Sequence, residues 1–218
     1  MNSPLIQLLV LAAIAVFLIL RLKNVLGTRE GFEKPPLPVQ PAPRKGPAFE
    51  VIEGGPDLDI TDHFDEGTPQ ARALSAMKRI EPSFNVTEFL AGGRGAYEMI
   101  VMGYEHGELD NIKAFLSEDV YESFVDGVAA REDQGLKIEA NFIGVREMAL
   151  DNVTLDPDTK EAEMTLRFVA ELTQAVRNAD GEIVEGSETD AKKQKDTWVF
   201  ARIMGSDDPN WLLVSTDG

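Results

Sequence analysis

Cysteine is absent from the 218-residue chain, which removes disulfides, thiolate metal sites, iron–sulfur clusters and cysteine nucleophiles together. Histidine is scarce, with His63 and His106 alone, so a His-rich metal site or a His-based triad has little to be built from. Basic residues are outnumbered, 21 Lys and Arg against 38 Asp and Glu, a formal net charge of −17. A nucleic-acid binder needs a basic face to neutralise phosphates, and this balance argues against one. What is present, 43% hydrophobic and 27% charged residues, is ordinary for a globular chain. The length suits one folded domain with additional segments.

The charge is uneven. Residues 1–45 hold six basic side chains and two acidic ones, net +4, so the acidity belongs to the remainder. Leu5 to Leu20 reads LIQLLVLAAIAVFLIL, with Gln7 its one polar side chain. As a helix this run spans about 24 Å, and extension through Leu22 with Arg21 and Lys23 snorkelling brings it to the membrane core thickness. Met1-Asn2-Ser3 offers no basic n-region, and no small-residue cleavage site follows the run, so an uncleaved transmembrane anchor is expected over 1–27. Arg21, Lys23 and Arg29 on its C-terminal flank place the body in the cytoplasm by the positive-inside rule. In a bacterium this is a single-pass inner-membrane protein.

Seven of the twelve prolines fall between Pro35 and Pro56. Such a stretch forms no core and acts as a semi-rigid spacer. The acidic run Asp57–Glu66 extends it, giving a tether over 28–67 and a folded domain over 68–218, with its core at 84–218. Thr68-Pro69 is a helix start. Ala71, Leu74, Met77 and Ile80 share one side of that helix, and Arg72, Lys78 and Arg79 are candidates for a membrane surface. Asn85 with Glu88 makes a capping box, and Gly107 stops the next helix, whose apolar stripe runs from Val86 to Tyr104. Gly92, Gly93 and Gly95 inside it each cost about 1 kcal/mol against alanine, and close approach of another backbone is the expected compensation. Short helices are expected from Asp110 and from Ser117.

Beyond Gly135 the period becomes two. Leu136 to Leu155 reads as strand material with a bend near Gly144, and Asp156-Pro157-Asp158 makes a turn. Ala162, Met164, Leu166, Phe168, Ala170 and Leu172 alternate with Glu161, Glu163, Thr165 and Arg167 as a half-buried strand. Asp180-Gly181 is a hairpin-type turn signal, while the polar stretch through Lys195 reads as a longer, mobile loop. Trp198–Ile203 and Trp211–Ser215 are the last strands. Helices first and a strand meander afterwards predict an α+β fold, helices packed on a curved antiparallel sheet.

Several segments resemble one family: Arg21 to Gly31 after the apolar run, Phe89-Leu90-Ala91-Gly92, Ala96 to Val101, Leu116-Ser117 with Val120 and Phe124, Asp196 to Arg202, and Pro209 to Leu213. Their order is similar to bacterial TimA proteins, which carry a Tim44-like domain. These are relatives of the motor-anchoring subunit of the mitochondrial inner-membrane presequence translocase. The resemblance implies a nuclear-transport-factor-two-like cone with an apolar pocket between helices and sheet. It also implies a membrane-tethered, non-enzymatic adaptor that binds a protein partner at the inner membrane, linked to protein translocation or membrane-protein assembly. No cofactor, metal or catalytic residue is expected.

The expected pocket wall is Tyr97, Ile100, Val101, Phe124, Met164, Leu166, Phe168, Trp198, Phe200 and Trp211. The alternative is a small-ligand or lipid-binding domain, or an isomerase-like enzyme using Tyr97, Tyr104 or Tyr121 with an inward carboxylate. A buried, unpaired Asp or Glu facing a tyrosine would favour the enzyme, and an apolar cavity the adaptor.

Overall fold

The computed structural model describes residues 57–217. The expected anchor, most of the expected tether, and Arg21, Lys23 and Arg29 lie outside the described residues. Among the described residues, no helix is long and apolar enough to cross a membrane.

The helical layer comprises α1 (Leu58–Thr61), α2 (Pro69–Ile80), α3 (Val86–His106), α4 (Leu109–Ile112) and α5 (Glu118–Asp133), with a tight 3₁₀ turn at Lys113–Phe115. Local chemistry sets the boundaries. The Thr68 hydroxyl accepts from the Ala71 N–H at 3.2 Å, and the Asn85 side chain accepts from the Glu88 N–H at 2.9 Å. Gly107, at φ 72°, closes α3 in a left-handed conformation that suits glycine.

The acidic run Asp57–Glu66, expected in the tether, is part of the fold at its N-terminal end. Ile60 of α1 is buried. Asp59 accepts from the backbone N–H groups of Val86 at 2.8 Å and Thr87 at 3.1 Å. Its carboxylate thus answers donors that the first turn of α3 leaves unpaired, at the positive end of that helix. Lys78 lies 2.7 Å from Asp59 and 2.8 Å from Asp57. Burial pushes the Asp59 carboxyl up, but these donors outweigh it and hold its pKa at about 2.

The sheet is an antiparallel meander in the order β1 (Lys137–Leu155), β2 (Glu161–Arg177), β3 (Ile183–Ile203), β4 (Leu212–Asp217). Register shifts in β1 after Phe142, Val145 and Leu150 bend it, as bulges do. The fold is therefore α+β, helices on a curved antiparallel sheet. The stretch through Lys195 is not a loop: β3 starts at Ile183 and pairs along β2, with Gly186 opposite Ala175 and Lys195 opposite Val169. Its side chains are mostly exposed on both faces, so no alternation marks it as a strand.

The core lies between α2, α3 and one face of the sheet. Leu74, Met77, Val86, Tyr97 and Ile100 meet Met164, Leu166, Phe168, Trp198 and Phe200 there. Close approach explains one of the three glycines. A Cβ on Gly93 would lie 2.7 Å from Leu166 Cδ1, a side chain and not backbone, whereas Gly92 and Gly95 face open space.

Candidate functional site

The ten expected pocket residues do not share one cavity. Tyr97, Met164, Leu166 and Phe168 are fully buried in the core. Phe200 and Trp211 line a first cleft, and Ile100, Val101, Phe124 and Trp198 line a second.

The first cleft, about 340 Å³, lies where the start of α3 faces the β3–β4 end of the sheet. Its walls are aromatic because Phe84 and Phe89 flank the Asn85 cap while Trp211 precedes β4. The Phe89 and Trp211 rings meet edge to face, with centroids 4.7 Å apart, and Phe84 lies 6.1 Å from Trp211. Arg202 stands behind them, its guanidinium 5.3 Å from the Trp211 centroid. Its Nη2 donates to Glu81 Oε2 at 2.6 Å and its Nη1 to the Pro209 carbonyl at 3.2 Å. The Arg202 hydrogen bond holds the Glu81 carboxyl below the usual carboxylate range, against the opposing effect of burial.

The second cleft, about 320 Å³, opens between α3, α5 and the β3–β4 pair. Tyr104 and Phe124 pack against each other in its wall, with centroids 4.6 Å apart. Asp196 and Trp198 come from β3, and Asp196 is only 7% exposed. Asp196 Oδ2 accepts from the Tyr97 hydroxyl and Oδ1 from Gln194 Nε2 at 3.1 Å. The Tyr97 ring stacks on Phe168 at 4.2 Å and lies 4.6 Å from Trp198. Burial, then the neighbouring Asp196 carboxylate, pushes the Tyr97 phenol well above its ordinary value, so it stays a hydrogen-bond donor.

A buried carboxylate does face a tyrosine, the arrangement expected of the isomerase-like alternative. The geometry differs from a shared acid–base site, because Tyr97 is 0% exposed and spends its hydroxyl on Asp196. Tyr97 is absent from the lining of the cleft, and its hydroxyl holds the carboxylate from behind. Tyr104 lines the second cleft, and Tyr121 lies under Lys113 Nζ at 4.5 Å. Among the described residues, no three His, Asp or Glu side chains converge as a metal site.

Of the proposed membrane-surface residues, Lys78 is committed to Asp57 and Asp59. Arg72 is exposed and donates to the Gly67 carbonyl at 3.1 Å, and Arg79 is exposed. Residues absent from the expected pocket wall are Phe84, Phe89 and Arg202 in the first cleft and Asp196 in the second, where Tyr104 was expected for the isomerase-like alternative alone. Asp196 had a readable signal: it lies two residues before Trp198 and four before Phe200, on the same face of a strand.

Residues 70–218 match the family model of the Tim44-like domain. The chain is similar to the mitochondrial import inner membrane translocase subunit TIM44-1 of Arabidopsis thaliana, 20% identical over 161 residues, 71% of this chain and 34% of that protein. It is also similar to the TIM44 subunit of Homo sapiens, 24% identical over 153 residues, 67% of this chain and 33% of that protein. The chain thus spans about a third of the length of these relatives. Among solved structures, the intermembrane space region of the chloroplast protein ARC6 aligns with a TM-score of 0.36 and 13% identity, over 66% of this chain and 94% of that one.

Proposed function

The chain belongs to the Tim44-like domain family, and from that premise we propose that it is a membrane-tethered, non-enzymatic adaptor holding a protein partner at a bacterial inner membrane, in the service of protein translocation or membrane-protein assembly. The observation that carries the reading is the pairing of a Tim44-like domain at 70–218 with the apolar run of residues 5–20. The relatives bear the names of inner-membrane translocase subunits, which supports the same placement. In this reading residues 1–27 anchor a single pass, the proline-rich segment is the spacer, and the domain, of nuclear-transport-factor-two-like type, faces the cytoplasm by the positive-inside rule.

The mechanism is effective concentration. A partner of modest affinity, confined by a spacer of a few tens of residues, meets its membrane target far more often than a free one. The first cleft is the docking site in this reading, since Trp and Arg dominate binding hot spots and Trp211 and Arg202 stand together in its wall. The Tyr97–Asp196 arrangement supports a non-catalytic role, its hydroxyl being consumed inside the core.

A photoreactive residue at Trp211 of the full chain, in native bacterial membranes, tests this. One protein recurring among the crosslinks, in a fraction that alkaline carbonate leaves membrane-bound, is the expected result. Crosslinks to lipid alone, or release of the chain by carbonate, would overturn it.

A further inference from the structure

The second cleft carries an inference that stands apart from the adaptor reading. One wall holds a carboxylate, Asp196, whose two oxygens are met by the neutral donors of Tyr97 and Gln194. Both oxygens accept, so no proton is needed between them and the group fits there as an anion. Neutral donors spread that charge without cancelling it. Among the described residues, none of the ion pairs includes Asp196. A buried anion short of a counter-charge is an expensive thing for a fold to keep.

The surroundings say what would complete it. Tyr104, Phe124 and Trp198 line the same cleft, and aromatic faces are the negative poles of their rings. A cleft of about 320 Å³ with a carboxylate in one wall and aromatic side chains among its lining suits a cation that is itself partly apolar. An anion would be repelled by Asp196. A hydrocarbon would leave Asp196 uncompensated, and a small hydrated metal ion would gain nothing from the rings. The fold already uses this chemistry beside the cleft, since Arg131 Cζ lies 4.5 Å from the Tyr104 ring centroid while Arg131 Nη1 lies 3.6 Å from Glu105 Oε2. Residues 57–218 hold 34 acidic against 15 basic side chains, a field that gathers cations from solution.

We propose that this cleft binds an organic cation, an ammonium or guanidinium group on an apolar stem, with Asp196 as counter-charge and Tyr104, Phe124 and Trp198 as walls. The group belongs either to a free amine or to a lysine or arginine side chain of a protein.

The test uses the full chain in maltoside micelles carrying Trp211→Phe, which leaves Trp198 as the sole tryptophan reporter. Its fluorescence is titrated with n-butylammonium, with spermidine, with capped lysyl and arginyl tripeptides, and with neutral n-butanol, all at constant ionic strength. The cations are expected to saturate in the ~mM range or tighter, with n-butanol at least ~10-fold weaker. Asp196→Asn is expected to weaken the cations ~10-fold or more, and Phe124→Leu, which keeps bulk but removes a π face, several-fold. Peptides tighter than the free amines assign the group to a protein side chain, and the reverse assigns it to a free amine. Cations and n-butanol titrating alike would overturn the proposal, as would unchanged affinity in Asp196→Asn. Should Asp196→Asn fail to fold by circular dichroism, unchanged affinity in Phe124→Leu overturns it instead.

Discussion

Tyr97 and Asp196 form a buried unit whose worth can be isolated. Tyr97→Phe keeps the ring stacked on Phe168 at 4.2 Å and removes one oxygen, taking from Asp196 one of its two hydrogen bonds. A hydrogen bond to a charged group is worth about 1.5–3 kcal/mol, and with the packing untouched the whole loss falls in that range. Asp196→Leu removes the other half and leaves the Tyr97 hydroxyl dry in a fully buried position, at about 1–3 kcal/mol. The double variant has neither a dry hydroxyl nor an under-served carboxylate. Its cost is therefore expected to fall short of the summed single costs by at least ~1 kcal/mol. Urea unfolding of the full chain in maltoside, followed by tryptophan fluorescence, measures all four proteins, because Trp198 and Trp211 both lie in the described fold. Single costs that add within ~0.5 kcal/mol would refute the reasoning, since independent sites add that closely.

The Asp59 clasp should be visible in acid. Its folded pKa of about 2 lies below the ordinary Asp value of about 3.9, so its stabilisation is complete above pH ~5 and fades as pH falls through about 2, amounting to about 1–2 kcal/mol after screening. Urea midpoints between pH 6 and pH 2 should fall less steeply in Asp59→Asn, and parallel curves would remove the clasp from the account. The α3 glycines should separate by sign. Gly95→Ala and Gly92→Ala, with nothing within 4 Å of the added Cβ, should stabilise by about 0.5–1 kcal/mol each. Gly93→Ala, which meets Leu166 at 2.7 Å, should destabilise by about 1–3 kcal/mol. Thermal midpoints decide this, and a stabilising Gly93→Ala would mean that Leu166 yields freely.

What the sequence disclosed was what local chemistry encodes. Helix α3 is legible because Asn85, Glu88 and Gly107 mark its ends while Val86 to Val101 repeat at helical spacing. The first half of β2 is legible because Ala162, Met164, Leu166 and Phe168 are buried in strict alternation. Asp57–Phe64 was not, since an acidic run looks solvated until its partner is known, and the partner N–H groups of Asp59 are 27 and 28 residues away. Residues 183–195 hide for a related reason: their strand character resides in the β2 backbone they pair with, not in their own side chains. The pocket wall was half legible. Periodicity says which residues point inward but not where the inward space is left unfilled, so Tyr97 and Trp198 look equivalent until one is sealed and the other lines a cleft.

Asp196 shows where that limit bears on function. Its register on β3 is an inward one, shared with Trp198 and Phe200, and an aliphatic residue there would simply continue the core. Exchanging a buried charge and its partner for apolar side chains is often neutral or stabilising. Tyr97→Phe/Asp196→Leu is accordingly expected at, or above, the stability of the parent chain, while n-butylammonium no longer saturates the Trp198 signal. That pair of results would mean the carboxylate is kept for what it holds and not for the fold. A double variant much less stable than the parent, with cation affinity retained, would mean the reverse: Asp196 would then be a structural anchor for Tyr97, and the proposed cation site built on it would fall.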